Sequence, residues 1–180
     1  MRTIIFILAL SPFFSFSQTN SSVFIKLTDA KGNQIKGESK DIRFKDWIHS
    51  ASISSGGNNN TQLTFTMQVS GASADLKKAM TTNEWLLNGE VDVTKPGERP
   101  VTVYIIKMEK IKVLSYAETT GSATVTLQAT RIGWIYYSMN NKGEQTESKR
   151  YGWDAETNKE WNLGETPKID RTKIIKARGN

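Results

Sequence analysis

The sequence predicts a mainly β domain: a small two-sheet β-barrel or sandwich with one inserted α-helix. Three observations lead there. Most of the chain after residue 22 alternates apolar and polar residues at period two, the signature of half-buried strands. A single stretch in the middle changes to helical spacing, and Gly/Asn/Asp/Pro clusters punctuate the rest where turns are needed. A strand-rich chain with one helix closes most simply as a barrel or sandwich, which removes or protects its edges.

The elements follow in order. Val23, Ile25 and Leu27 share one face of a first strand, with Phe24, Lys26 and Thr28 on the other. Asp29-Ala30-Lys31-Gly32-Asn33 is turn chemistry, with a glycine able to take positive φ and Asp/Asn side chains that bond nearby backbone. Trp47 to Ser54 alternates again and runs into the low-complexity Ser54 to Asn60 connection. Leu63, Phe65, Met67 and Val69 repeat at period two against Thr and Gln, a half-buried strand. Ser73 to Leu87 reads as a helix of about three turns, with Ser73 as N-cap, Asp75 in the first turn, and Asn88-Gly89 as the stop. A short strand at 91–93, a Lys95-Pro96-Gly97 turn and two long β-branched, aromatic strands follow. Asn140-Asn141-Lys142-Gly143 turns the chain into a last strand ending in Tyr151-Gly152-Trp153-Asp154. No internal repeat is evident.

At 180 residues the chain suits one domain with a real core. It has no cysteine, which excludes disulfides, thiol nucleophiles and thiolate zinc sites. The net charge of +6 sits mostly at the ends: Arg2 contributes +1 and residues 168–180 contribute +4, leaving the domain nearly neutral. Nucleic acid is therefore not an expected partner. Residues 1–17 have the parts of a secretory signal peptide: Arg2, an apolar run from Ile4 to Leu10, and small residues Ser15 and Ser17 before a cleavage point. The stretch from Thr3 to Phe16, interrupted by Pro12, is shorter than the roughly 20 residues a membrane span needs, so no stable membrane insertion is expected. The expected division is a signal peptide over 1–17, a β-barrel domain over 18–162 and a basic extension over 163–180.

No constellation for chemistry emerges. His49 is the only histidine, so paired imidazoles and Cys/His metal clusters cannot form. Glu38 and Asp41 lie three apart among Lys36, Lys40 and Arg43, the arrangement of solvated ion pairs rather than of acids facing across a cleft. No phosphate-binding glycine motif is present. The expected catalytic, cofactor and metal residues are therefore none. The last third of the chain is aromatic, with Trp134, Tyr136, Tyr137, Tyr151, Trp153 and Trp161. Such residues suit a core and subunit interface, and they also suit a glycan platform.

The stretch from Phe24 to Asp41, FIKLTDAKGNQIKGESKD, followed by a strand with Ile48, Ser52, Ser54 and Gly56 in step, resembles the haemolysin-coregulated protein (Hcp) family, the tube subunit of type VI secretion systems. The similarity continues through the single helix and the long strand pair to Tyr151-Gly152-Trp153-Asp154. It implies a two-sheet barrel with one helix that assembles into six-membered rings, stacked head to tail as a hollow tube, without catalysis. The implied partners are further copies of the chain, as a homo-hexamer, together with spike or effector proteins. The candidate subunit-interface residues are Lys36, Gly37, Glu38, Ser39, Asp41, Trp47, Tyr151 and Trp153. Phe44, Ser50 and Ile53 stand where the family commonly has His, an apolar residue and Trp, so ring contacts are expected to differ there.

Two expectations about place follow. A working signal peptide puts the protein outside the cytoplasm, in the periplasm or beyond. Without one, it is cytoplasmic and leaves through a type VI system. The alternative reading is a monomeric exported β-module that binds glycan or a surface protein through its aromatic C-terminal third.

Overall fold

The computed structural model describes residues 21–164 except 57–60, 96–100 and 142–143. The signal-peptide reading of residues 1–17, most of the Ser54 to Asn60 linker, Pro96 and Gly97, and the basic residues 165–180 lie outside the described residues. What is described is the expected barrel with one inserted helix.

The strands are β1 (Ser22–Thr28), β2 (Gln34–Ile35), β3 (Ile48–Gly56), β4 (Gln62–Gln68), β5 (Leu86–Lys95), β6 (Val101–Thr119), β7 (Ser122–Met139), β8 (Gln145–Asp154) and β9 (Lys159–Glu160), with α1 (Gly71–Thr81) between β4 and β5. They form one continuous antiparallel sheet in the order β4-β3-β1-β5-β6-β7-β8-β9, with β2 on β1. A further pairing of β4 with β7 closes six of these strands into a barrel. β7 is long enough to serve two partners: its first half, Ser122–Gln128, pairs with β4, and its second half, Arg131–Met139, pairs with β8. The barrel therefore closes at one end, while β6, β7 and β8 run on past the closure.

Alternation puts Val23, Ile25, Leu27, Leu63, Phe65, Met67, Val91, Ile106, Met108 and Leu127 in one buried cluster. Register explains how. Ile25 faces Val91, which faces Ile106, so three successive strands place branched side chains in one row. The predicted first turn forms as read: Gly32 has φ +85°, and the Asp29 carboxylate accepts the backbone N–H groups of Lys31 and Asn33 at 2.9 and 2.8 Å.

The helix differs from its predicted bounds. Its N-cap is Ser70, and Ser73 sits one turn in, its hydroxyl accepting the Ser70 N–H at 3.0 Å. Thr81 and Thr82 donate their hydroxyls to carbonyls four residues back, and Asn83 takes φ +54°, which ends the helix there. Leu86 to Lys95 is strand throughout, so Asn88-Gly89 lies inside β5. Leu86 is drawn into the barrel opposite Ile111, and that burial overrides the helical spacing.

Candidate assembly surfaces

The eight residues singled out from sequence fall into two groups. Lys36, Gly37, Glu38, Ser39, Asp41 and Trp47 belong to the excursion between β2 and β3, whereas Tyr151 and Trp153 lie on β8. In the strand order β5, β6 and β7 stand between β1, which carries the excursion, and β8. One subunit does not bring the two groups together.

The excursion is built by its own backbone. Gly37 N–H donates to the Asp46 carbonyl at 2.9 Å, Ser39 N–H to the Trp47 carbonyl at 3.0 Å, and Asp46 N–H back to Ser39 at 2.9 Å. A Cβ on Gly37 would overlap the Trp47 carbonyl oxygen and the Ile48 amide, so only glycine allows this close pairing. The Ser39 hydroxyl accepts Asp41 N–H at 3.3 Å, and the Asp41 carboxylate accepts Arg43 N–H at 2.8 Å. Gly37, Ser39 and Asp41 therefore shape the loop, and it exposes Lys36, Glu38, Lys40, Ile42 and Lys45. Phe44 anchors it to the barrel wall, stacked on Phe24 at 4.2 Å between ring centroids, with Trp47 edge-on at 5.2 Å.

Of the three positions expected to alter ring contacts, Ser50 and Ile53 lie on the core side of β3, and Phe44 is covered against the outer wall of the barrel. Phe44 and Ser50 are buried, and Ile53 packs partly against the core. Ser50 sits at a bulge in β3, its hydroxyl within 2.6 Å of the Ser52 carbonyl and 2.9 Å of the Thr66 carbonyl. A buried serine is tolerated there because the bulge frees carbonyls for it.

On β8 the surroundings are aromatic. The inner rows of the barrel continue outward by register: Val93 to Tyr104 to Tyr136, and Val91 to Ile106 to Trp134 to Tyr151. Tyr104 and Tyr136 lie 5.8 Å apart, and Trp134 stacks on Tyr151 at 6.2 Å with 15° between planes. Past the closure nothing described covers this face, and Tyr136 and Tyr151 are 44% and 48% exposed. Tyr104 was missed in the sequence because it sits among aliphatic residues of β6; its cross-strand register with Tyr136 is the signal that identifies it.

The opposite face of β7 and β8 carries a notch. Gly133 and Gly152 are register partners, and Cβ atoms there would overlap the Leu163 side chain and the Trp161 carbonyl oxygen. Leu163, at the start of the expected extension, fills the notch, while the Arg150 guanidinium donates to the Gly164 carbonyl. Asp154 organises the preceding turn. Its carboxylate takes the Arg131 guanidinium at 2.8 Å and the N–H groups of Glu156 and Thr157 at 2.9 and 3.1 Å.

His49 is exposed on β3, 5.3 Å from the Phe24 ring. No cluster of three metal-ligating side chains occurs among the described residues. An open groove of about 610 Å³ is lined by Trp85, Lys112 and Leu114 with the Lys110–Glu156 ion pair, which is not a proton-transfer arrangement. No helix among the described residues is long and apolar enough to cross a membrane.

The fold and its surfaces define the class: a closed antiparallel barrel with one helix, an aromatic face that nothing described covers, and a braced loop. The family model for "Type VI secretion system effector, Hcp" matches residues 24–136, more than half of the chain, and the protein belongs to that Hcp family. Members of this family are structural, secreted proteins and not enzymes. Among solved structures, Hcp1 from Salmonella typhimurium is 21% identical, covering 79% of this chain and 99% of its own, with a TM-score of 0.65. A structure described as a type six secretion system protein is 22% identical over 78% and 99%, with a TM-score of 0.67. A mutant Hcp1 from the E. coli EAEC 042 pathovar is 22% identical over 70% and 96%, with a TM-score of 0.58. Comparison with curated protein sequences returns no match.

Proposed function

We propose that the chain is a ring-forming, tube-like subunit, assembling as a homo-hexamer whose rings stack. The observation that carries this reading is the aromatic face of β6, β7 and β8, which continues the barrel's own inner rows and stays uncovered in a single subunit. Rows of that composition are the usual centre of a protein interface, where large rigid rings bury area at low entropic cost. The Lys36 to Asp41 loop lies elsewhere on the subunit, and a head-to-tail ring requires two unlike surfaces. Tyr151 and Trp153 then belong to one contact and Lys36, Glu38 and Trp47 to the other, with Gly37, Ser39 and Asp41 acting through the loop's shape. Spike or effector proteins are further partners of such a ring.

Residues 1–17 decide the compartment in this reading. Acting as a signal peptide, they place the rings in the periplasm or outside the cell; otherwise assembly is cytoplasmic and a type VI system secretes the product. Mass spectrometry of the N-terminus in cell fractions separates the two, with Gln18 as first residue marking export. Native mass measurement and electron microscopy of residues 18–180 across concentration and salt test assembly. Rings are expected, and a monomer under all conditions overturns the reading.

The same face favours a second reading, a glycan platform built on the stacked Trp134 and Tyr151 rings. Glycan-array binding abolished by Trp134→Ala in a folded monomer is the result that favours it.

A further inference from the structure

The outer face of the barrel holds a carboxylic acid that its surroundings do not accommodate as an anion. Asp92 points outward from β5, between Phe24 on β1 and Ile105 on β6, yet it is only 6% exposed. One carboxylate oxygen accepts the Thr102 hydroxyl at 3.2 Å, and the other has no hydrogen-bond partner among the described residues. The Tyr137 hydroxyl on β7 is likewise buried without a partner. An ionised carboxylate with a bare oxygen in such a place is costly, so the group stays protonated or reaches water. Burial pushes its carboxyl up to about 7, against the opposing pull of Thr102 and Arg43.

The excursion between β2 and β3 lies over this site. Phe44 stacks on Phe24, the cross-strand neighbour of Asp92, and Asp41 and Arg43 are near enough to act on its charge. From the barrel, Glu90 is the neighbouring acid on β5 and is held by Lys107 of β6 at 3.6 Å. On β8 Glu147 is paired with Arg150, and His49 of β3 lies on the far side of Phe24.

The excursion can lift as a unit. Its backbone-to-backbone hydrogen bonds between residues 37–39 and 46–47 run within itself and move with it, and the tie to β2 that must break is the Gln34 side-chain amide donated to the Asp46 carbonyl at 2.8 Å. Asp92, by contrast, is held in ladders with both β1 and β6, so water reaches it more cheaply by displacing the loop than by opening the barrel.

We propose that Asp92 is a pH-sensitive latch for residues 36–47: the neutral acid keeps the loop seated, and its ionisation lifts the loop and alters the surface that meets a second copy. The last step rests on the ring reading above. The sign follows from where the proton is held. A lifted loop leaves Asp92 an ordinary carboxyl, ionised above about pH 4, whereas a seated loop retains the proton to about pH 7. The opening equilibrium therefore rises by up to roughly tenfold per pH unit between about 4 and 7 and levels off above.

Amide hydrogen exchange from pH 4.5 to 8.5, corrected for intrinsic exchange and read by mass spectrometry on the protein from residue 18, tests the latch. Protection of 36–47 is expected to fall with pH in the native chain and in a His49→Gln control, and to be flat in Asp92→Asn, with barrel peptides unchanged. Equal slopes with and without Asp92, a flat loop in the native chain, or parallel loss in the barrel peptides overturns the proposal. If Asp92→Asn does not fold, carboxyl-carbon NMR gives the answer directly: the Asp92 titration moves down in Phe44→Ala if the loop holds it up, and stays put if it does not. Native mass measurement at pH 5 and 8 separates the two ideas. A monomer with an Asp92-dependent loop leaves the latch standing and removes the ring, whereas rings with a pH-independent loop do the reverse.

Discussion

Gly37 and Asp92 illustrate how differently two residues are determined. Gly37 is demanded by backbone contact with Trp47 and Ile48, so Gly37→Ala is expected to destabilise by about 2 kcal/mol or more, since neither neighbour is a side chain that can swing away. Gly71→Ala, where a Cβ meets nothing, is expected to stay within about 0.5 kcal/mol. Denaturant midpoints of the two variants check the contrast, and equal midpoints would show that the loop pairing is not tight. Asp92 acts through pH. Its folded-state carboxyl is raised, so the unfolded chain loses the proton first, and stability falls as pH climbs from about 4 to about 7, by up to about 1.4 kcal/mol per unit. Urea midpoints across that window should slope down in the native chain and less in Asp92→Asn; matching slopes would deny Asp92 the role.

At the scale of elements, Leu163 is the apolar anchor of the segment after β8, beside the β8–β9 pairing and the Arg150 hydrogen bond to Gly164. Leu163 occupies the notch that Gly133 and Gly152 leave on β7 and β8, and its removal leaves those glycines facing a void. Leu163→Ala is expected to raise protease cleavage within 155–164 several-fold, with the barrel intact by circular dichroism. Unchanged cleavage would mean that Arg150 and the β8–β9 pairing hold the segment alone. The period-two strands β1, β4, β6 and β7 were legible in the sequence because each sets a row of apolar residues at period two on its core face. β5 was legible only as its Val91–Val93 centre. Its first residues share a spacing with the helix before them, and only the pairing of Leu86 with Ile111 assigns them to the sheet.

For the whole molecule, the proposed ring assembly turns on the extension of β6, β7 and β8 past the barrel closure. Tyr136→Glu places a charge at the middle of the aromatic face without touching the closed core. It is expected to leave folding unchanged and shift the oligomer to monomer, by native mass measurement at concentrations where the native chain forms rings. Rings that persist in this variant would move the interface elsewhere.

Period-two patterning, the one helical stretch and the turn residues by themselves determined a β-barrel with a single helix, and the order of its motifs determined the Hcp family. Local chemistry suffices for both, since strand, helix and turn preferences are written within a few residues of where they act. The tertiary structure alone decided what the candidate residues do. Gly37, Ser39 and Asp41 became loop-shaping residues because Asp46 and Trp47 come back to meet them. Asp92, which nothing in the sequence sets apart, lies buried beside Phe24, on which distant Phe44 stacks, and feels the charge of distant Arg43. Tyr104, Trp134, Tyr136 and Tyr151 became one surface because register across three strands aligns them. Each is a contact between residues far apart in the chain, and burial, register and charge environment are properties of such contacts rather than of the residues alone.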